Sequence, residues 1–325
     1  MKVLVTGRLP HVILSRLEKE CEVVINRHDK PMHREEILSN IGDKDGLLCM
    51  ITDRIDKNLI ISAPRLKIIA NYGVGFNNID VEAATEKGIP VTNTPGVLTD
   101  ATADLAMALI LASGRRLVEG DRRTRAGQFR YWAPFHFLGH EITGKTLGII
   151  GFGRIGKAVA RRAAGFDMKV IYYNRRRLES SEEEVLNVEY VDFNNLLKEA
   201  DFVSLHVPLS PHTVHLIGSD ELKKMKPSAY LINTSRGSVV DEKALLEALN
   251  NAEIQGAGLD VYENEPDLTP GLSDLENATL LPHMGSSTVE TRTKMAFMAA
   301  ENLLAGLKGK LPPNCLNCSD LYKEI

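Results

Sequence analysis

Arg236, Glu265 and His283 are the residues of this chain whose types suit acid–base chemistry on a small anion. Each follows a short apolar run that reads as a strand, at 230–233, 256–261 and 280–281. The C-terminal ends of strands in an open α/β sheet face the ligand crevice. An arginine can grip a carboxylate through two parallel hydrogen bonds. A histidine near neutrality can give or take one proton. A carboxylate beside that histidine orients the ring and favours its protonated form. With a nicotinamide ring alongside, such a set suits hydride transfer to a 2-keto acid. Each residue also has a plainer alternative: a surface ion pair for Arg236, a loop at Glu265-Pro266, a capped turn at His283.

The element that could hold such a ring lies at residues 145–175. Leu147-Gly148-Ile149-Ile150 reads as a buried strand, Gly151-Phe152-Gly153-Arg154-Ile155-Gly156 as a turn, 157–164 as a helix, and Val170-Ile171-Tyr172-Tyr173 as a second strand. Together they form a dinucleotide-binding βαβ unit. Gly151 permits the tight turn, Gly153 lets the backbone approach a pyrophosphate, and Gly156 lets helix and strand pack closely. The helix N-terminus offers unpaired N–H groups to the phosphates. Where NAD-binding units carry a carboxylate, this chain has Asn174, followed by Arg175, Arg176 and Arg177. Nothing there repels a 2′-phosphate, and guanidinium groups suit one, which favours NADP(H) with NAD as the alternative. The competing reading makes the arginines a solvated loop, with Asn174 taking the ribose hydroxyl.

Residues 1–97 alternate strand and helix, with strands at 3–5, 21–25, 47–51, 66–70 and 89–93. That pattern predicts a parallel sheet covered by helices, without a phosphate-type glycine fingerprint. Within it, Asn71-Tyr72-Gly73-Val74-Gly75 follows a strand, and its glycines allow a sharp turn with N–H groups exposed, a nest for a carboxylate or else a plain turn. Residues 98–127 read as one long helix, capped by Thr99 or Asp100. An aromatic stretch with Trp132, Phe135, His136, Phe137 and His140 follows, more suited to packing on a partner subunit than to a metal. Residues 182–188 and 193–199 read as amphipathic helices.

Length bounds the rest: 325 residues suggest two domains. A net charge of −4 offers no field for nucleic acid, and no apolar run approaches a membrane span. The N-terminus reads as a strand rather than a signal peptide. Four cysteines do not make a disulfide framework, which fits a cytoplasmic protein; Cys315 and Cys318 read as a tail with two thiols. No metal site is expected.

In this order, the stretches GFGRIG, HVPL, NTSRGSVVDE, GAGLDVYENEP and LPHMGSST resemble the D-isomer-specific 2-hydroxyacid dehydrogenase family, over about residues 66–314. The resemblance implies that Arg236 binds the substrate carboxylate and carbonyl, that Glu265 raises the basicity of His283, and that His283 protonates the keto acid on reduction. Val74 and Gly75, with Asn71 beside them, match the turn that holds the substrate carboxylate. Thr102, Arg154, Ile155, Asn174, Arg175, Val207, Thr213, Thr234 and Asp260 match cofactor-lining positions, with Arg176, His283 and Gly285 adjoining them. It also implies a Rossmann-type cofactor domain at 99–287 and a discontinuous, flavodoxin-like substrate domain at 1–98 and 288–325, with catalysis in the cleft between them. A homodimer is implied, with Trp132 reaching the neighbouring active site. Within the family the chain is most similar to reductases of glyoxylate and hydroxypyruvate, with 2-ketogluconate reductases next. A non-catalytic, dinucleotide-sensing corepressor is the alternative from another class.

Overall fold

A computed structural model describes residues 1–321 as two compact units, one of residues 1–98 and 287–321 and one of residues 99–286. The first unit carries β1 (Lys2–Val5), β2 (Glu22–Ile25), β3 (Gly46–Met50), β4 (Ile68–Tyr72) and β5 (Val91–Thr92). All pair in parallel in the order β2-β1-β3-β4-β5, a flavodoxin-like arrangement. Parallel sheets need cover on both faces, and the strands are accordingly apolar runs rather than alternating ones. Val3, Val5, Leu48 and Ile68 pack with the helix Val289–Leu307 on one face, while Leu4, Leu47 and Ile69 pack with Ile37, Ile41 and Leu59 on the other.

The second unit carries β6 (Thr146–Ile150), β7 (Lys169–Tyr173), β8 (Val188–Tyr190), β9 (Phe202–Leu205), β10 (Tyr230–Asn233), β11 (Gly256–Leu259) and β12 (Ala278–Leu280). They form one parallel sheet, β12-β11-β10-β9-β6-β7-β8, the Rossmann order. The two-residue period decides which side chain faces which layer. Leu147 and Ile149 join Tyr230 and Ile232 under the helices Thr99–Gly114 and Arg154–Ala163. Ile150 joins Leu205 and Leu231 under Phe193–Glu199 and Glu242–Asn250. Strand order reverses between β6 and β9, so the crevice of this sheet opens where both end. Among the described residues no helix is long and apolar enough to cross a membrane.

Three expectations need correction. The single helix over 98–127 is two, Thr99–Gly114 and Leu117–Arg125. Arg116 between them is left-handed, φ 55°. Its guanidinium is held by Glu119 at 2.8 Å and by Leu138 O at 3.1 Å, and lies 4.2 Å from the Phe137 ring, while Gly114 O accepts the His140 N–H at 2.7 Å. Phe137, Leu138 and His140 lie outside both helices, so the periodicity of 98–127 did not record them. The helix read at 182–188 runs Ser180–Leu186 instead, and left-handed Asn187 turns the chain into the edge strand β8. Finally, Cys315 and Cys318 form a disulfide. The tail docks on β5: Leu316 N donates to Val91 O at 2.8 Å, and Asn317 Oδ1 accepts the Val91 N–H at 2.8 Å.

Candidate active site

β11 and β12 place a carboxylate and an imidazole in contact. His283 Nδ1 lies 2.7 Å from Glu265 Oε2, and Glu265 Oε1 accepts the Tyr262 N–H at 2.9 Å. Burial pushes the Glu265 carboxyl up. The bond and charge of His283, the Tyr262 N–H and the Arg236 charge outweigh it and hold that carboxyl below its ordinary value. With Nδ1 committed to the carboxylate, Nε2 is the ring atom left to exchange a proton with a reactant.

The backbone of His283 is left-handed, φ 51°, a conformation uncommon for a non-glycine residue and held here by restraint from its neighbours. Asp260 supplies that restraint. Its carboxylate accepts the Met284 N–H at 2.7 Å and the Gly285 N–H at 2.8 Å, while Thr102 Oγ1 donates to Gly285 O at 3.2 Å. Arg236 is shaped from β10. Asn233 Oδ1 accepts from Ser235 N at 3.0 Å and from Ser235 Oγ at 2.8 Å, and Asn233 Nδ2 donates to Arg236 O at 3.0 Å. A Cβ on Gly237 would sit 1.8 Å from the carbonyl carbon of Tyr262, so the Arg236 and Glu265 segments run backbone against backbone. Burial lowers the Arg236 guanidinium and the Glu265 charge opposes that.

The glycine turn fits a dinucleotide, and its three glycines are not equivalent. A Cβ on Gly151, φ 93°, would lie 2.6 Å from the His206 carbonyl carbon, and one on Gly156 would lie 2.5 Å from Gly151 O. Gly153 has nothing within 4 Å of where its Cβ would be. The fold demands the first and third glycines, whereas the second keeps open a space that a ligand phosphate can use. Just beyond the ends of the neighbouring strands β9 and β10 two buried polar atoms, His206 Nδ1 and Thr234 Oγ1, have no partner among the described residues. His206 Nε2 meets Ser204 Oγ at 2.8 Å, and burial lowers the imidazole to about 4. A nicotinamide dinucleotide offers donors and acceptors to such atoms.

The other expected residues are distributed as follows. Gly151 N donates to Tyr173 O at 3.0 Å, which sets Asn174 and the exposed Arg175 and Arg176 next to the turn. Arg154 and Ile155 open the helix Arg154–Ala163, and Val207 is half-buried just beyond β9. The Thr213 hydroxyl is used within its own loop, accepting the Ser210 N–H at 2.8 Å and donating to Pro208 O at 2.7 Å. In the first unit, Asn71 Nδ2 holds Gly75 O at 2.8 Å, Asn93 Nδ2 holds Val74 O at 2.8 Å, and Thr94 N holds Gly73 O at 2.9 Å. All three carbonyls of that turn are thus tied back, which frees its N–H groups for an anion. Trp132 is 79% exposed. Sequence reasoning placed His206 at a strand end that should meet the cofactor but passed over Asn233; the signal was present, since Asn233 is a polar residue at the end of a sheet strand.

The family model described as the NAD-binding domain of D-isomer specific 2-hydroxyacid dehydrogenases matches residues 107–285. A glyoxylate reductase of Thermococcus litoralis is 53% identical over 320 residues, 97% of this chain and 96% of that one. A solved structure of a Thermus thermophilus protein superposes with a TM-score of 0.90 at 47% identity, covering 97% of this chain and 100% of that chain. An NADPH-dependent glyoxylate/hydroxypyruvate reductase of Sinorhizobium meliloti, solved with NADP and malonate, does so at 0.87 and 34% identity, covering 97% and 96%.

Proposed function

The chain belongs to the D-isomer-specific 2-hydroxyacid dehydrogenase family, NAD(P)-dependent enzymes that reduce 2-keto acids, and from that premise we propose that Arg236, Glu265 and His283 carry its reaction on glyoxylate and hydroxypyruvate. The contact of His283 Nδ1 with Glu265 is the observation that carries this reading. The bound dihydronicotinamide supplies the hydride. Arg236 pairs with the substrate carboxylate and fixes the carbonyl. His283 gives its Nε2 proton to the carbonyl oxygen, and Glu265 balances the charge of the ring that does so. Asp260 and Thr102 keep the His283 loop in place. The turn at Asn71, Val74 and Gly75, in a substrate-binding domain of residues 1–98 and 288–325, adds N–H donors for the carboxylate.

NADP(H) is the preferred cofactor on this reading, because Asn174 brings no negative charge and Arg175 and Arg176 are exposed beside the glycine turn. The aromatic segment around Trp132 makes a homodimer. Specificity constants for glyoxylate, hydroxypyruvate, pyruvate and 2-ketogluconate, each with NADPH and NADH, test the assignment. Glyoxylate and hydroxypyruvate with NADPH should lead. His283→Ala should lower turnover by about 10²–10⁴-fold with dinucleotide affinity unchanged. Unchanged turnover in that variant removes His283 from the reaction.

A further inference from the structure

The turn that follows β7 is closed by ties that converge on one buried acid. Asn174 Nδ2 donates to Arg176 O at 3.0 Å, which folds the turn upon itself. At its far end Leu178 N donates to the Tyr172 hydroxyl at 2.9 Å. That hydroxyl donates in turn to Glu183 Oε1 at 2.6 Å. The same carboxylate takes Arg177 in a two-point grip, with Nε to Oε1 at 2.9 Å and an NH2 to Oε2 at 2.7 Å. The Arg177 guanidinium also lies 5.6 Å from the Tyr190 ring of β8. Glu183 is buried, whereas Arg175, Arg176 and Arg177 are all exposed; what sets Arg177 apart is its ion pair. Arg175 and Arg176 have no side-chain partner among the described residues.

The Glu183 carboxylate fills one of the two forks of the Arg177 guanidinium and offsets its charge, which leaves Arg177 a poorer phosphate ligand than its two neighbours. Three adjacent cations would also repel one another, and pairing one of them lowers that cost. The grip is strong in electrostatic terms. Arg177 and the Tyr172 hydroxyl hold the Glu183 carboxyl down at about 2, and burial together with Glu183 pushes the Tyr172 phenol up to about 12. Glu183 therefore stays ionised throughout the neutral range.

We propose that Glu183 is a positioning residue for cofactor choice: its carboxylate withholds Arg177 and fixes the turn from Asn174 to Leu178 so that Arg175 and Arg176 present themselves to the 2′-phosphate. This rests on the NADP(H) reading above. Glu183 touches no ligand; it acts through Tyr172, Leu178 and Arg177.

Calorimetric titration of the intact protein with NADP⁺, NAD⁺ and adenosine 2′,5′-bisphosphate tests it, since binding is read without turnover. Glu183→Gln should weaken both 2′-phosphate ligands by about fivefold or more, with NAD⁺ changed by less than about twofold. Tyr172→Phe, which keeps the ion pair and removes the bond to Leu178, should shift the same ratio in the same direction by less. It serves as the measured variant if Glu183→Gln does not fold. Equal weakening of NADP⁺ and NAD⁺ would reduce Glu183 to a stabilising residue and overturn the proposal. Tighter NADP⁺ binding by Glu183→Gln would also overturn it, since a released Arg177 would then be the phosphate ligand. The double variant Arg175→Ala/Arg176→Ala separates the two levels. If it binds the bisphosphate as wild type does, the NADP(H) reading itself fails; if it weakens while Glu183→Gln does not, only the positioning role fails.

Discussion

Single residues here take their chemistry from where the fold buries them. His206 shows what this does to its chemistry. Its ring is held by Ser204, its Nδ1 is buried without a partner among the described residues, and burial lowers its pKa to about 4 from an ordinary 6.5. A histidine depressed in the fold contributes stability that is fully present above pH 6.5, its unfolded value. That stability is lost as pH falls through about 4, because the unfolded chain takes up the proton first. The loss amounts to about 3 kcal/mol across that window. Denaturant melts of wild type and His206→Asn at about pH 7 and about pH 4 should therefore show a steeper acid loss in the wild type. Parallel losses would mean that another group titrates. Glu265 differs in kind: burial alone would raise it, yet His283, Tyr262 N–H and Arg236 more than offset burial.

At the scale of an element, the turn between β6 and the helix Arg154–Ala163 separates what folding requires from what binding requires. Gly151 is left-handed and backed by the His206 main chain, so Gly151→Ala should destabilise the protein as well as impair dinucleotide binding. Gly153→Ala meets no atom of the protein. It should stay within about 1 kcal/mol of wild-type stability and still bind the dinucleotide at least about tenfold more weakly. Thermal melts paired with cofactor titration read both quantities; undiminished affinity in Gly153→Ala would place the phosphates elsewhere. The helix before this element shows where periodicity misleads. The helix after Leu98 breaks at Arg116 because Glu119, Phe137 and Leu138 capture that side chain, and only Glu119 lies within helical reach of it in the sequence.

At the scale of the whole molecule, the proposed homodimer rests on the segment from Phe129 to Leu138. Phe135 is 88% exposed, and Tyr131 and Trp132 are exposed beside it. Aromatic side chains gathered in this way on a surface mark an interface. On that proposal the wild type should sediment as a dimer at micromolar concentration and the double variant Trp132→Ser/Phe135→Ser as a monomer. Identical sedimentation of the two would remove this segment from the interface.

Much of the fold was legible because its signals are local. The apolar runs of β6, β7 and β10, the glycine spacing at 151–156 and the polar residue after each strand each report on a few neighbouring residues. The absence of a carboxylate at Asn174 was equally plain. Contacts across the sheet were not legible. The edge strand β8 has three residues and follows an acidic helix, so its pairing with β7 came from neighbours rather than from its own pattern. The disulfide of Cys315 and Cys318 goes with a tail that docks on β5. Strand order, the grip of Asp260 on the His283 loop and the capture of Arg177 by Glu183 all join residues far apart on the chain or on different elements. The chain alone determined which chemistry is available and on which strand ends it sits. Only the tertiary structure decided which of those groups are held, because a side chain's partners are set by three-dimensional packing rather than by position along the sequence.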